Sequence, residues 1–161
     1  MKKIAILLIA FLLASCGFHL RGQQSMPFDT LFISPPDSPL AIVLRKAIEH
    51  GSKAHVVHAP AKDAYRLEIL DETTDRIILS LDATGQVREY QLQYKVTFRF
   101  LDPKGNVLIP RSELFLTRLL SYSISEILAK ESEAQLLNKD MMNDAVFQIM
   151  RRLAAVKPDE N

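Results

Sequence analysis

Cysteine is nearly absent from this sequence: Cys16 is the only one in 161 residues, and tryptophan is missing altogether. One thiol cannot form a disulfide within the chain, so the fold must hold without disulfides. The whole chain has five glycines, with no glycine-rich phosphate loop and no G-x-S-x-G nucleophile turn. Because the common catalytic motifs are missing, we predict that the protein is not an enzyme.

Neither sign of charge is in excess. The chain has 20 Lys and Arg against 19 Asp and Glu, for a formal net charge of +1. Two of the positive charges are Lys2 and Lys3, so the chain from Cys16 onward is close to neutral. Without a global basic field we expect no nucleic-acid partner, and binding of anions must come from local patches.

A long apolar run is also missing, but a short one opens the chain. Lys2 and Lys3 precede IAILLIAFLLA at residues 4–14, and this positive start with its apolar stretch is typical of a secretory signal. A membrane-spanning helix takes ~20 apolar residues, so this run is too short to span a membrane by itself.

The run ends in Leu-Ala-Ser-Cys, with Gly17 after Cys16. This ending resembles the bacterial lipobox, in which the cysteine sulfur receives diacylglycerol, the chain is cut before the cysteine, and the new amino group is acylated. At ~0.8 kcal/mol per buried methylene, such chains hold a protein at a membrane almost permanently. We predict a signal peptide over residues 1–15 and a lipidated N-terminus with a tether over 16–29. An ordinary signal peptide with an incidental cysteine is the alternative.

Short periodic segments follow the tether. TLFIS at residues 30–34 is β-rich and is stopped by two prolines, and Ser38 with Pro39 begins a helix that Gly51 ends. Residues 54–58 are ambiguous. Apolar residues alternate over 65–69, and the same odd-numbered set resumes over 77–81, before a hairpin turn at 82–85.

The strand after that turn has the strongest periodicity in the sequence. One face is predicted to carry Tyr90, Leu92, Tyr94, Val96, Phe98 and Phe100, and the other Glu89, Gln91, Gln93, Lys95, Thr97 and Arg99. A turn at 102–105 leads to a strand over 107–122, which we expect to bend at Pro110 because proline cannot donate in a sheet. Apolar rows between Leu137 and Ala154 predict a last helix that lies on the sheet.

These segments predict an α+β fold in one domain over residues 30–156, with a disordered tail over 157–161. A mostly antiparallel, mixed sheet of four strands carries two helices on one face, in the order β-α-β-β-β-α. If residues 30–34 join this sheet, the helical crossover makes their pairing parallel. The polar row then lies on the sheet face without helices, where it would suit the wet interior of a β-barrel or simply face solvent.

Three segments resemble one family. CGFHLRG at residues 16–22, TGQVREYQL at 84–92 and LAKESEAQ at 128–135, set in such a domain, resemble the LptE family of lipopolysaccharide-assembly lipoproteins. The resemblance implies a lipoprotein anchored on the periplasmic side of the outer membrane. It implies that this lipoprotein plugs and helps assemble the lipopolysaccharide-translocating β-barrel LptD and takes part in inserting lipopolysaccharide into the outer leaflet. The implied partners are LptD and lipopolysaccharide, with no cofactor besides the diacylglycerol and N-acyl chain on Cys16.

Lipopolysaccharide carries phosphates, so a protein that binds it needs Lys or Arg on a reachable surface. Lys130, in the LAKE segment at the start of the last helix, and Arg88, just after the hairpin turn, are the two residues that we predict to bind it. Several relatives carry a basic residue at the turn, where this chain has Ala83 and Thr84. Ordinary surface charge is the alternative for each cation.

Other functions have less support in the sequence. His55 and His58 would point to opposite faces of a strand and share a metal only on a helix, and His50 ends another helix, so we expect no metal site. An accessory lipoprotein of another envelope-assembly machine, or a peptidoglycan-binding lipoprotein, remains an alternative, since either would share the lipobox and a small αβ domain. Co-purification with a large barrel protein separates these possibilities.

Overall fold

The computed structural model describes residues 25–122 and 126–157. Within them lie β1 (Thr30–Ser34), α1 (Pro39–Gly51), β2 (His55–Val57), β3 (Tyr65–Leu81), β4 (Val87–Leu101), β5 (Val107–Ser121) and α2 (Ile127–Ala154). The predicted signal peptide, most of the tether and the end of the tail fall outside the described residues, so those boundaries stay predictions. Neither described helix is long and apolar enough to cross a membrane.

The described strands form one mixed sheet in the order β2-β1-β3-β4-β5. β1 runs parallel to β2 and to β3, whereas β3, β4 and β5 are antiparallel neighbours. The α+β prediction is confirmed, but the count of four strands is wrong, because the ambiguous run at 54–58 contains β2. Three residues are too few to show a period, and β2 is defined by its pairing with residues 30–32 of β1.

The alternation predicted for β4 is confirmed. Leu92, Tyr94, Val96, Phe98 and Phe100 are at most 1% exposed, and they share one core with side chains from both helices, namely Leu40, Leu44, Ile48, Met141, Ala145, Ile149 and Leu153. Both helices therefore pack on one face of the sheet, as predicted. The opposite face, called the open face below, is covered by no helix of the described residues.

The predicted assignment of β3 side chains to the two sheet faces is wrong in the second half of the strand. Ile69 pairs with Phe98, but the next pair joins Asp71 to Thr97, so Leu70 is an extra residue in β3, a β-bulge. Because side chains alternate with period 2, one inserted residue exchanges the two faces as far as the next register shift, after Ile78. Ile77, predicted to lie in the core, pairs with Gln91 on the open face.

A second bulge accounts for Pro110. Phe98 pairs with Ser112 and Phe100 with Ile109, so two residues of β5, Pro110 and Arg111, stand opposite one residue of β4. β5 is an edge strand, and the bulge places the missing N–H of proline where the ladder is already interrupted. The irregularity that we expected at Pro110 is therefore present.

Both hairpin turns form where they were predicted. Gly85 and Gly105 have φ of 82° and 92°, a left-handed conformation that glycine adopts without strain. In each turn an aspartate, Asp82 or Asp102, accepts hydrogen bonds from backbone or side-chain groups of the following residues. These bonds outweigh the loss of solvation of Asp102 and hold the pKa of both carboxyls below its usual range.

The sheet has two ends that differ in what they carry. The entry end is the row of Phe32, Arg66, Leu101 and Val107, which are successive partners across the sheet. The far end holds the β3–β4 turn, the end of β5 and the start of α2. α1 begins with Ser38, whose hydroxyl accepts from the backbone N–H of Ala41 (3.1 Å), and ends beside α2, where a Cβ on Gly51 would lie 3.3 Å from Met150 Cε.

Candidate functional site

The far end of the sheet brings the two predicted lipopolysaccharide-binding residues together. The backbone carbonyl of Arg88 accepts a hydrogen bond from the N–H of Tyr122 (2.8 Å). The ammonium of Lys130 donates to the hydroxyl of Ser121 (3.2 Å). Lys130 and Arg88 are therefore linked through two consecutive residues, although they lie on different elements. Their role in binding stays a prediction.

The two cations differ in whether other side chains already bind them. Lys130 also donates to Glu133 Oε2 (2.9 Å), and its side chain is 17% exposed. An incoming anion would have to compete with Glu133 for this ammonium. Arg88 is exposed, and no ion pair among the described residues includes its guanidinium.

A polar and aromatic cluster fixes the start of α2 against the sheet. Arg76 of β3 donates to both carboxylate oxygens of Glu131 at 3.2 Å, and its guanidinium lies 5.4 Å from the ring centre of Tyr90. The rings of Tyr90 and Tyr122 meet edge to face at 5.2 Å. Because Glu131 follows Lys130 directly, these contacts hold the first turn of α2, and Lys130 with it, beside the end of β5.

Exposed apolar side chains surround these cations. The apolar rim, as we call it, consists of Ile77, Ile78, Leu79, Leu81, Leu119, Ile127 and Leu128, each about half exposed or more. Scattered exposed apolar residues need no explanation, but a group confined to one end of a molecule marks an interaction surface. The sequence analysis missed this rim because it assigned side chains in the second half of β3 to the wrong sheet face. The run IILSL at residues 77–81 could have revealed the rim, because adjacent Ile77 and Ile78 cannot both face the core.

The open face carries paired charges and amides along the middle of the sheet. Glu68 accepts from Arg99, and Lys95 lies 3.5 Å from Asp71. Gln93 donates to Gln91 across 2.8 Å. Towards the far end the same face also carries two exposed apolar side chains of β5, Phe115 and Leu119. The open face is therefore polar and hydrogen-bonding, with an apolar strip along one edge.

One charged group on the helix side is structural. Glu72 accepts from the hydroxyl of Tyr94 (2.9 Å) and from the backbone N–H of Leu40 in the first turn of α1 (3.4 Å). A carboxylate is favoured at a helix N-terminus. Burial, together with the bond to Glu72, raises the pKa of the Tyr94 hydroxyl. The hydrogen bonds of Glu72 with Tyr94 and with Leu40 tie α1 to β3 and β4.

The remaining candidates lie apart from this end. His50, His55 and His58 are all exposed, and the described residues contain no group of three or more His, Cys, Asp or Glu that is placed to hold a metal ion. His55 lies on a strand, as the argument against a shared metal assumed. Cys16, the predicted lipidation site, lies outside the described residues, so its modification stays a prediction.

Comparison with known sequences points to one family. The family model LptE, described as lipopolysaccharide-assembly, matches residues 28–153. An LPS-assembly lipoprotein LptE from Yersinia enterocolitica is 30% identical over 151 residues, which cover 91% of this chain and 72% of the relative. One from Photorhabdus laumondii is 28% identical over 147 residues, covering 89% of this chain and 79% of the relative.

Solved structures share the fold. The solution NMR structure of lipoprotein B from Nitrosomonas europaea superposes with a TM-score of 0.74 at 36% identity, covering 86% of this chain and 91% of that chain. The crystal structure of rare lipoprotein B from Shewanella oneidensis gives 0.67 at 27% identity, covering 78% and 93%. A minor lipoprotein from Acinetobacter baumannii, at 22% identity, gives 0.65 over 83% of this chain and 99% of that one and supports the fold alone.

Proposed function

This chain belongs to the LptE lipopolysaccharide-assembly family, and we propose that it is the outer-membrane lipoprotein that plugs and helps assemble the β-barrel LptD. The family match over residues 28–153 is the observation that carries the proposal, because it includes every described strand and nearly all of α2. The family is a non-enzymatic one, which confirms the prediction that the chain is not an enzyme.

The anchor of this lipoprotein is the acylated Cys16 on the periplasmic side of the outer membrane. The lipobox at residues 13–17 supports this part of the proposal, and so do the relatives, which are named lipoproteins. Gly17 fits the location, because an aspartate at that position commonly retains lipoproteins in the inner membrane. The anchor keeps the domain near the periplasmic mouth of a barrel embedded in the same membrane.

The open face is the surface that we assign to the barrel wall. Its ion pairs and amides suit the polar interior of a large barrel better than they suit lipid. Phe115 and Leu119 on β5 add exposed apolar area at the edge of this face, and removing apolar area from water favours association.

Lipopolysaccharide is assigned to the far end. Arg88 and Lys130 supply positive charge for the lipid A phosphates, and the apolar rim beside them suits the acyl chains. The exposed Arg88 would make the first contact, whereas Lys130 would exchange Glu133 for a phosphate oxygen. The far end therefore offers positive charge to the phosphates of lipopolysaccharide and apolar surface to its acyl chains.

Co-purification from an outer-membrane extract tests the barrel assignment. The wild-type lipoprotein should recover a roughly equimolar large barrel protein. Phe115→Arg, on the open face at 55% exposure and outside the apolar rim, should reduce that recovery several-fold. Leu136→Arg, on α2 at 58% exposure, is the matched control and should reduce it less.

Three other results would change the proposal. Recovery of a different assembly machine or of peptidoglycan by the wild type would favour the alternative functions. Equal loss in both variants would mean that the barrel contacts the helix side as much as the open face. No recovery of any barrel by the wild type would overturn the plug role.

A further inference from the structure

The chain enters the sheet at the entry end, and its first contacts there are well defined. Phe28 is 5% exposed, and its ring lies 5.5 Å from the rings of both Tyr65 and Phe100. The segment that leads back to Cys16 therefore leaves the domain from this end. If Cys16 is acylated, as the proposed function holds, the entry end is the part of the domain nearest the anchor along the chain.

The entry end is rich in unpaired positive charge. Its exposed cations lie in the loops around β2, in the β4–β5 turn and at the end of α2; they are Lys53, Lys62, Lys104, Arg151, Arg152 and Lys157. None of the ion pairs among the described residues includes any of these six. Among the described residues, the acids at this end are Asp29, Glu49, Asp63 and Asp102, and both carboxylate oxygens of Asp102 accept hydrogen bonds from Asn106.

The far end has the opposite balance. Its cations are Arg76, Arg88 and Lys130, two of which are paired with glutamates of α2, and its acids are Asp75, Asp82, Glu89, Glu126, Glu131 and Glu133. The nearly neutral chain is therefore polarised along its length. An anionic surface would attract the entry end and repel the far end.

A groove of about 570 Å³ opens at the entry end, between the start of β5 and the end of α2. Its walls combine polar and apolar surface, and its lining consists of Val107, Leu108, Ile109, Ser112, Arg152, Ala155, Val156 and Lys157. The described residues that line it include two cations and no acid. This combination suits a phospholipid, whose phosphodiester is anionic, whose glycerol esters are polar and whose acyl carbons are apolar.

We propose that, before the lipoprotein enters the barrel, its entry end docks on the anionic phospholipid surface of the membrane that holds its anchor. The cations contact phosphodiesters, and the groove receives the headgroup region of one lipid. Acyl chains on Cys16 already supply membrane affinity, so docking sets orientation. The 11 residues between Cys16 and Phe28 would otherwise let the domain move up to ~40 Å from the surface. Docking presents the far end, with Arg88 and Lys130, to the aqueous side.

A site-specific probe on the full acylated chain tests this orientation. Acylation consumes the only native thiol, so an introduced cysteine can carry an environment-sensitive fluorophore alone. Ala155→Cys places the probe in the groove, and Ala83→Cys places it in the β3–β4 turn as the matched control. Each protein is reconstituted in vesicles of phosphatidylcholine with or without phosphatidylglycerol. We expect a blue shift at position 155 only with phosphatidylglycerol, reversed by 0.5 M salt because of screening (Debye length on the order of 4–5 Å), and none at position 83.

A second experiment removes positive charges from the entry end. Each Lys near an anionic surface contributes about a fivefold factor to association, so Lys104→Gln with Lys157→Gln should weaken docking about thirtyfold. Lys95→Gln with Lys139→Gln removes the same two charges elsewhere and should leave docking within about twofold. Arg152 is left intact, since its guanidinium lies over the Phe98 ring at 5.7 Å. Circular dichroism of each variant confirms that it is folded.

The outcomes separate docking from anchoring. No blue shift at position 155, an equal shift at position 83, or equal loss in the two double variants would each overturn docking. Flotation with neutral vesicles reports the anchor independently. A chain that fails to float refutes the lipid anchor of the proposed function. Cys16→Ser in the Ala155→Cys variant then removes the free native thiol, and a blue shift at position 155 with anionic vesicles would still support docking.

Discussion

Two phenylalanines on neighbouring strands provide a direct test of which sheet face is buried. Phe98 of β4 points into the core at 0% exposure, whereas Phe115 of β5 lies on the open face at 55% exposure. Phe98→Ala removes a fully packed ring and leaves a cavity, which costs about 3–5 kcal/mol. Phe115→Ala shortens a side chain that already contacts solvent, so its cost should stay within about 0.5 kcal/mol.

Urea unfolding of the fragment 17–161, followed by circular dichroism, measures both costs. With a slope of about 2 kcal/mol per molar urea, a loss of 4 kcal/mol moves the midpoint by about 2 M. The midpoint of Phe115→Ala should move by no more than about 0.3 M. Similar shifts for the two variants would refute the assignment of faces, and with it the argument that the open face is available to a partner.

Four further predictions address the anchor, the fold, the far end and one turn. Cys16→Ala should abolish metabolic labelling with a fatty acid, and equal labelling of wild type and mutant would disprove lipidation there. The fragment 17–161 should give a mixed helix and sheet spectrum with a cooperative melt, whereas a disordered spectrum would mean that the barrel is needed for folding. Lys130→Asp with Arg88→Asp should weaken lipopolysaccharide binding by folded protein at least several-fold and reduce its salt dependence, and unchanged affinity would remove both residues from the site. Folding lowers the pKa of the Asp82 carboxyl. The stabilisation that this carboxylate gives should therefore be complete above its unfolded pKa near 4 and should be lost as pH falls through the lower folded pKa. Asp82→Asn should remove this contribution to the pH dependence of urea unfolding.

The sequence could predict the parts of the fold that are determined by residues close together in the chain. β4 was predicted correctly because its whole length separates a buried face from a polar one. Both turns were predicted because Gly85 and Gly105 occupy positions that favour glycine. The entry of α1 was predicted because Ser38 and Pro39 are strong start signals.

The parts that failed depend on contacts between distant residues. β2 exists because its three residues complete the edge beside β1, and nothing in their own order requires a strand. The bulge at Leu70 leaves no local mark, since a run of alternating residues can continue after it on the opposite face. The proximity of Arg88 and Lys130 depends on the end of β5 lying between them, which no spacing in the sequence could give.

The bulge at Leu70 connects the folding of β3 to the geometry of the far end. With uninterrupted alternation, Asp71, Thr73 and Asp75 would face the helices, and Glu72 and Arg76 would lie on the open face. The inserted residue exchanges these sets, so that Glu72 meets Tyr94 and the first turn of α1, and Arg76 meets Glu131. Since Glu131 follows Lys130, the position of this lysine beside Ser121 depends on a residue about 60 positions earlier in the chain. The β-bulge therefore acts on the candidate binding site through the helix that it orients.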